Sequence, residues 1–379
     1  MRPALRAQPE PPAAAEFVPA PGVHVVLGGT GGFGLETALW LAERGARCVV
    51  LASRRGVVGP EHAERLARLR ALGCLLREER LDVTDGAAVA AAFAGWRTAL
   101  GPIAGIIHCA MVLEDGVILG LTPEKIGRVL EPKIRGMRAI EAALGGETLQ
   151  YLVAYSSSTT FVGSPGQSSY VVGNAFLEGA VVALRARGVP ALAVAWGAIS
   201  DVGVIARTAG LADRLRQATG VSGVTSAEAL RHLGGLLADP MATPPVSAYS
   251  VIRWVPAASK LAVLRSPYFA EVFSDTGQAE ARDGGEALDL SALGRDEAAE
   301  VLLGLIRDEV ARILRLPADA VEVDRPLMDL GLDSLMALEL RLGLEKRTGQ
   351  EMAMTMMTGG LSVRSLAGRI AATLAPGST

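Results

Sequence analysis

Between Val23 and Arg44 an unbroken apolar run, VHVVL, passes straight into Gly28-Gly29-Thr30-Gly31-Gly32-Phe33-Gly34 and then into helical periodicity. Few folds use such a junction. Glycine belongs where the turn needs positive φ, and where a side chain would keep the backbone away from a pyrophosphate. The helix that opens next offers free N–H groups and a positive dipole end to an anion. An ordinary strand-to-helix turn can also carry glycines. The rest of the N-terminal half makes the distinction.

That half alternates strictly between strand and helix. CVVLASRR reads as a second strand, Leu76–Leu81 as a third, AGIIHCAM as a fourth, LQYLVAYSSS as a fifth and PALAVAWGAI as a sixth. Helical patterns lie between them, over Leu35–Arg44, Pro60–Leu72, Ala87–Ala99, Pro123–Leu144 and Tyr170–Arg187. The strands are apolar throughout, without polar alternation, which implies a parallel sheet covered on both faces. The expected fold class is therefore α/β, a Rossmann-type doubly wound sheet. In that setting the glycine loop reads as a dinucleotide site formed by Gly28, Thr30, Gly31, Gly32, Phe33 and Gly34.

The second strand indicates which dinucleotide. A site for NAD places an acid there to bind the ribose 2′-hydroxyl. Here the strand ends Ser53-Arg54-Arg55, with no acid before Glu61. Two guanidiniums suit a 2′-phosphate, so NADPH is the expected cofactor. Solvated surface arginines are the competing explanation. Asp82 and Val83 close the third strand, where an adenine edge would lie.

At the end of the fifth strand stand Ser156-Ser157-Ser158, and Tyr170 opens a helix thirteen residues after Ser157, with Asn174 one turn further on the same face. Carbonyl reduction needs a proton donor beside the hydride donor. A phenol serves if a nearby cation lowers its pKa. From the residues alone, Tyr170 is equally a satisfied core tyrosine.

Composition bounds the remainder. The chain of 379 residues is 50% apolar and 20% charged, enough for two or three domains with large cores. Its net charge of −3 argues against a basic nucleic-acid-binding face. Three cysteines exclude a disulfide scaffold, and the four histidines show no zinc spacing, so no metal is expected. No apolar stretch suits a signal peptide or a membrane span, so a soluble cytoplasmic protein is expected. Residues 1–22, rich in proline and alanine, read as a linker or cut end. A polar stretch over 274–287 reads as a second linker. Beyond it, Val301, Leu302, Leu305, Ile306, Val310 and Ile313 share one helical face, and helices are expected at Ser334–Arg347 and near Val363–Leu374. This tail, 288–375, reads as a small four-helix bundle in which Leu335, Leu338 and Leu342 point inward.

The stretch YSSSTTFVGSPGQSSYVVGNAFLEGAVVALRARGVPALAVAWG resembles the active-site block of polyketide synthase ketoreductases, which are short-chain dehydrogenases. So do VLGGTGGFG, LASRRG, LDVTD, HCAMVLEDGVI and LTPEKIGRVLEPKIRGM, in that order, over about Val23 to Ala270. The resemblance makes 23–273 an NADPH-dependent reductase domain. It implies that Tyr170 gives its proton to the carbonyl oxygen and Ser157 hydrogen-bonds that oxygen. It implies too that Lys133, from the preceding helix, binds nicotinamide ribose and lowers the pKa of Tyr170. Asn174 then stands where most short-chain dehydrogenases have the lysine. The family's stereochemical marker Leu-Asp-Asp reads Leu113-Glu114-Asp115 here. With Asp115 kept, and no tryptophan between Ser157 and Tyr170, the B-type D-hydroxy outcome is implied. Leu27 replaces the threonine that normally opens the glycine motif. Family ketoreductases also carry a second, degenerate Rossmann half before the catalytic one, which the residues before Val23 are too few to form. A longer synthase or a separate piece is expected to supply it.

In the tail, LGLDSLMALEL resembles the acyl carrier protein signature, which makes Ser334 the site of 4′-phosphopantetheine attachment by a phosphopantetheinyl transferase. The implied substrate is a β-ketoacyl thioester on that arm. The implied partners are the other synthase domains, ketosynthase and acyltransferase among them. Two other readings stand beside this one: a free-standing short-chain dehydrogenase acting on small ketones, and a carrier module whose reductase half is only scaffold.

Overall fold

The computed structural model describes residues 17–116, 118–146, 148–164, 166–208, 220–252, 262–269, 294–314, 316–332, 334–350, 352 and 360–374. The chain divides into two compact units, Met1–Glu114 with Thr122–Ser164 and Ser168–Thr276, and Asp115–Leu121 with Pro165–Gln167 and Gly277–Thr379.

The first unit is built on a seven-stranded sheet. Its strands are β1 (Val23–Leu27), β2 (Cys48–Ser53), β3 (Leu75–Arg80), β4 (Ile103–His108), β5 (Tyr151–Ser157), β6 (Ala191–Trp196) and β8 (Val246–Tyr249). A short antiparallel pair, β7 (Val221–Ser222) and β9 (Val251–Ile252), lies outside it. The sheet order is β3-β2-β1-β4-β5-β6-β8 and every pairing is parallel. The order reverses between β1 and β4, the switch point outside which a crevice opens at the carboxyl ends of the strands. Strands β1, β4, β5 and β6 are buried along their whole length, as their unalternating Val, Ile, Leu and Ala composition requires.

Helices cover both faces: α1 (Gly32–Glu43), α2 (Ala63–Ala71), α3 (Gly86–Leu100), α4 (Pro123–Ala143), α5 (Thr159–Val162), α6 (Ser168–Ala186), α7 (Gly203–Arg207) and α8 (Ser226–Ala238). Two apolar clusters result. Leu35, Leu41, Val49, Tyr155 and Leu233 belong to one, and Val25, Val50, Phe93, Ile140 and Leu152 to the other. Asp85, Thr122 and Thr225 cap α3, α4 and α8 with their side chains.

Three differences from the sequence expectations matter. Packing is already established at Phe17, ahead of Val23: this residue is 3% exposed and its ring stacks on Trp40, with centroids 5.4 Å apart. Hydrogen bonds to Gln150 and His24 tie the same segment down (Ala20 N to Gln150 Oε1, 2.7 Å; His24 Nε2 with Ala20 O, 3.0 Å). Strand β8 was not expected, because PVSAYS is short and only partly buried. The loops 115–121 and 165–167 group with the second unit rather than with the sheet, and they bond to each other through Gly116 N and Gly166 O at 2.7 Å.

The second unit contains α9 (Arg295–Leu314), α10 (Ser334–Thr348) and α11 (Val363–Leu374), around a core that includes Leu302, Ile306, Val310, Leu340, Leu344, Leu366 and Ile370. Where a four-helix bundle was expected, these three helices and the short turn Ala318–Ala320 are described. The proposed linker over 274–287 lies outside the described residues, as do the side chains of Ser334, Leu335, Leu338 and Leu342.

Candidate active site

Three elements bring the expected site residues to the carboxyl edge of the sheet. Ser157 is the last residue of β5, Lys133 projects from α4, and Tyr170 and Asn174 lie one turn apart on α6. Lys133 is the centre of the arrangement. Its side chain is 2% exposed, its Nζ donates to the Tyr155 carbonyl at 3.4 Å, and the same Nζ lies 5.4 Å from the centroid of the Tyr170 ring. Such an approach is favourable for a cation over an aromatic face. Gly173 makes room for it, since a Cβ there would come within 3.0 Å of Lys133 Cδ. Pro132, inside α4 and buried, removes one helical N–H immediately before Lys133.

Burial pulls the Lys133 ammonium down to about 8, by making the charged form costly. Burial acts on its neighbours too. It pushes the Cys109 thiol up to about 12, and with the Lys133 charge it pulls His108 down to about 3. At neutral pH these two are uncharged, which leaves Lys133 the cation beside the phenol.

Ser157 is buried, and its Oγ accepts from Thr159 N (3.3 Å) and Thr159 Oγ1 (3.1 Å). Tyr170 is partly exposed, with its hydroxyl 4.0 Å from Met111 Sδ. Asn174 is fully buried. Its Nδ2 donates to the Tyr170 carbonyl at 2.9 Å, while its Oδ1 has no hydrogen-bond partner among the described residues. That orphaned oxygen marks a buried place for a further donor.

The glycine loop packs hard against the end of β4. A Cβ on Gly28, whose φ is +93°, would stand 2.7 Å from Ala110 N, and one on Gly34 would stand 2.7 Å from Cys109 Sγ. Helix α1 opens at this loop with no side-chain cap and no acid in its first turn, so its amide groups stay available to an anion. Thr30 Oγ1 donates to Ser53 Oγ at 2.8 Å, and Gly56 N to the same oxygen at 3.1 Å. Above Gly31 the nearest groups are His62 Nε2 and an Arg55 nitrogen, 3.5 and 3.8 Å from where a Cβ would be. Arg54, next in sequence to Arg55, is exposed. This bare, donor-lined cradle fits a phosphorylated dinucleotide. Phe33 packs edge-on to Trp196 and tilted on Tyr155. Asp82 lies just past β3, accepting from Thr84 N and Oγ1, and Val83 is buried. His62 was missed in the sequence, because only the 3-10 turn Pro60–His62 folds it back over the loop.

In the marker segment, Glu114 holds Arg128 with both oxygens (2.6 and 2.9 Å), and Asp115 Oδ2 accepts from Gln167 Nε2 at 2.9 Å. Among the described residues, no cluster of three or more His, Cys, Asp or Glu is placed to hold a metal, and no helix is long and apolar enough to cross a membrane.

Sheet order, glycine cradle and the Ser, Tyr and Lys segments together define a Rossmann-type reductase domain. Comparison with known proteins gives its family. Residues 22–201 match the KR domain and residues 304–370 the phosphopantetheine attachment site. The chain joins a ketoreductase domain of the polyketide synthase family to an acyl carrier domain.

The chain is 35% identical over 340 residues to the phenolphthiocerol synthesis polyketide synthase type I Pks15/1 of Mycobacterium bovis, a match covering 87% of this chain and 16% of that protein. It is 32% identical over 373 residues to the phthioceranic/hydroxyphthioceranic acid synthase of Mycobacterium tuberculosis, covering 97% of this chain and 17% of that one. The chain thus spans under a fifth of these relatives' lengths. Among solved structures, an A1-type ketoreductase superposes with a TM-score of 0.65 at 30% identity, covering 71% of this chain and 56% of that one.

Proposed function

We propose that this chain reduces a β-ketoacyl thioester, tethered by 4′-phosphopantetheine on Ser334, to the β-hydroxyacyl thioester with NADPH. The observation that carries the reading is the buried Lys133 ammonium beneath the Tyr170 ring. When bound, the nicotinamide supplies a hydride to the β-carbon.

The chain's own residues do the rest. Ser157 donates a hydrogen bond to the ketone oxygen. Tyr170 delivers the proton that this oxygen takes up as the C=O double bond becomes C–O–H. Lys133 stabilises the phenolate left behind and binds ribose hydroxyls, and Asn174 offers its unpaired Oδ1 to a donor that returns a proton to the site. The loop of Gly28, Thr30, Gly31, Gly32, Phe33 and Gly34 binds the pyrophosphate and Ser53, Arg54 and Arg55 the 2′-phosphate, while Asp82 and Val83 border the adenine.

Ser334 is the first residue of α10. A phosphodiester there meets the positive end of a helix dipole. Its modification calls for a phosphopantetheinyl transferase and coenzyme A. Ketosynthase and acyltransferase domains and the second Rossmann half are the expected partners, in the cytoplasm. The domain limits 23–273 and 288–375 belong to the same reading, with the first extended back to Phe17.

For stereochemistry we propose the B-type D-hydroxyl, on Asp115 and the absence of tryptophan between Ser157 and Tyr170. The match to an A1-type ketoreductase favours the opposite hand. Loading with coenzyme A and a transferase, then acetoacetyl transfer and NADPH, tests the whole. The arm should appear in the mass spectrum, absorbance at the reduced-nicotinamide band should fall, and chiral analysis should find the D product. Loading without NADPH oxidation would refute the reductase.

A further inference from the structure

Resting on the NADPH reading above, we infer that His62 is a further ligand of the cofactor's 2′-phosphate, acting with Arg55 across the open face of Gly31. The two side chains come from different places, Arg55 from just past β2 and His62 from the end of the following 3-10 turn. Both end at one point, with His62 Nε2 3.5 Å and Arg55 Nη2 3.8 Å from where a Gly31 Cβ would be. The preceding residue, Thr30, bonds Ser53 at the end of β2. A glycine here leaves open the space those groups face.

The ring's orientation is fixed by its surroundings. His62 is 19% exposed, and its Nδ1 is buried without a hydrogen-bond partner among the described residues. With Nδ1 turned into the interior, Nε2 is the ring nitrogen that faces the loop and can donate there. Nε2 lies 3.7 Å from Glu61 Oε1, and Glu61 is 54% exposed, so this carboxylate can turn to water when a better acceptor arrives. A phosphate has three outer oxygens and takes several donors. The exposed arginines supply charge, and the imidazole, held on a short turn, supplies direction.

The test measures binding alone, by nicotinamide fluorescence for NADPH and NADH and by competition with 2′,5′-ADP and 5′-ADP. His62→Ala should weaken NADPH and 2′,5′-ADP about five- to twentyfold, with NADH and 5′-ADP changed less than twofold. His62→Gln, which restores a donor of similar reach, should recover part of the loss. Equal weakening for all four ligands would place His62 at the pyrophosphate and overturn the assignment. Undiminished NADPH binding in His62→Ala would overturn it as well. If the unaltered protein itself binds NADH as tightly as NADPH, the NADPH reading fails and this inference with it. Discrimination kept in the unaltered protein and unchanged in His62→Ala would remove only the inference.

Discussion

The Nζ of Lys133 lies 5.4 Å from the centre of the Tyr170 ring, although the two residues come from different helices. In the proposed reaction the cation stabilises the phenolate and the phenol supplies the proton. Replacing Tyr170 by Phe keeps the ring and removes only the hydroxyl. NADPH oxidation by the loaded protein should fall by about 10²–10⁴. The mass increase on carrier loading should be unchanged, since Ser334 belongs to the other unit.

Arg54 and Arg55 lie exposed just past β2, Arg55 reaching over the glycine loop, without an acid at the end of β2 to favour a free ribose. Arg54→Ala with Arg55→Ala should cost at least about tenfold in NADPH affinity, because hydrogen bonds to charged groups contribute about 1.5–3 kcal/mol. NADH binding should change little. Equal loss for both cofactors would remove these residues from the 2′-phosphate.

Lys133 carries a stability cost of definite pH dependence. Burial lowers its folded-state pKa to about 8, below the ordinary lysine value of 10.5. Below pH 8 the ammonium is charged in both states and the burial cost is fully present. Between about 8 and 10.5 the unfolded chain holds the proton that the folded one has shed, so stability rises with pH. Lys133→Met should abolish reduction yet be more stable at pH 7, by up to about 1–4 kcal/mol. That advantage should shrink towards pH 10.5. Trp40, Trp96 and Trp196 lie in the first unit, so their fluorescence during urea unfolding reports on that unit.

Phe17 completes the face of α1 by stacking on Trp40, with planes 8° apart. Phe17→Ala should destabilise the first unit by about 3–5 kcal/mol, as truncation of a buried aromatic ring does. Unfolding that matches the unaltered chain would mean the N-terminal segment is dispensable.

The sheet was legible because its strands and glycine loop obey short-range rules. Each apolar run is long enough to be a buried strand, and each is followed by helical periodicity. Phe17 was hidden among prolines and alanines, since its partners Trp40 and Tyr151 are far along the chain. Strand β8 was hidden because half-exposed Val246–Tyr249 lacks a continuous apolar signature. Tyr170 and Asn174 share a helix, so their spacing was readable. Lys133 was legible only through the family resemblance, because a lysine on a helix is usually solvated; what buries this one is the approach of α4 to Gly173. His62 depended on a single tight turn, which no periodicity announces.

The absence of a side chain at Gly173 has a wider meaning. Where a lysine follows its tyrosine on one helix, the backbone itself fixes their separation. Here that separation is a property of how closely two rods lie together. A single methyl group at position 173 would press on the Lys133 stem at 3.0 Å. It could therefore detune the reductase without altering any atom that reacts, and evolution could adjust the acidity of the phenol by respacing the pair.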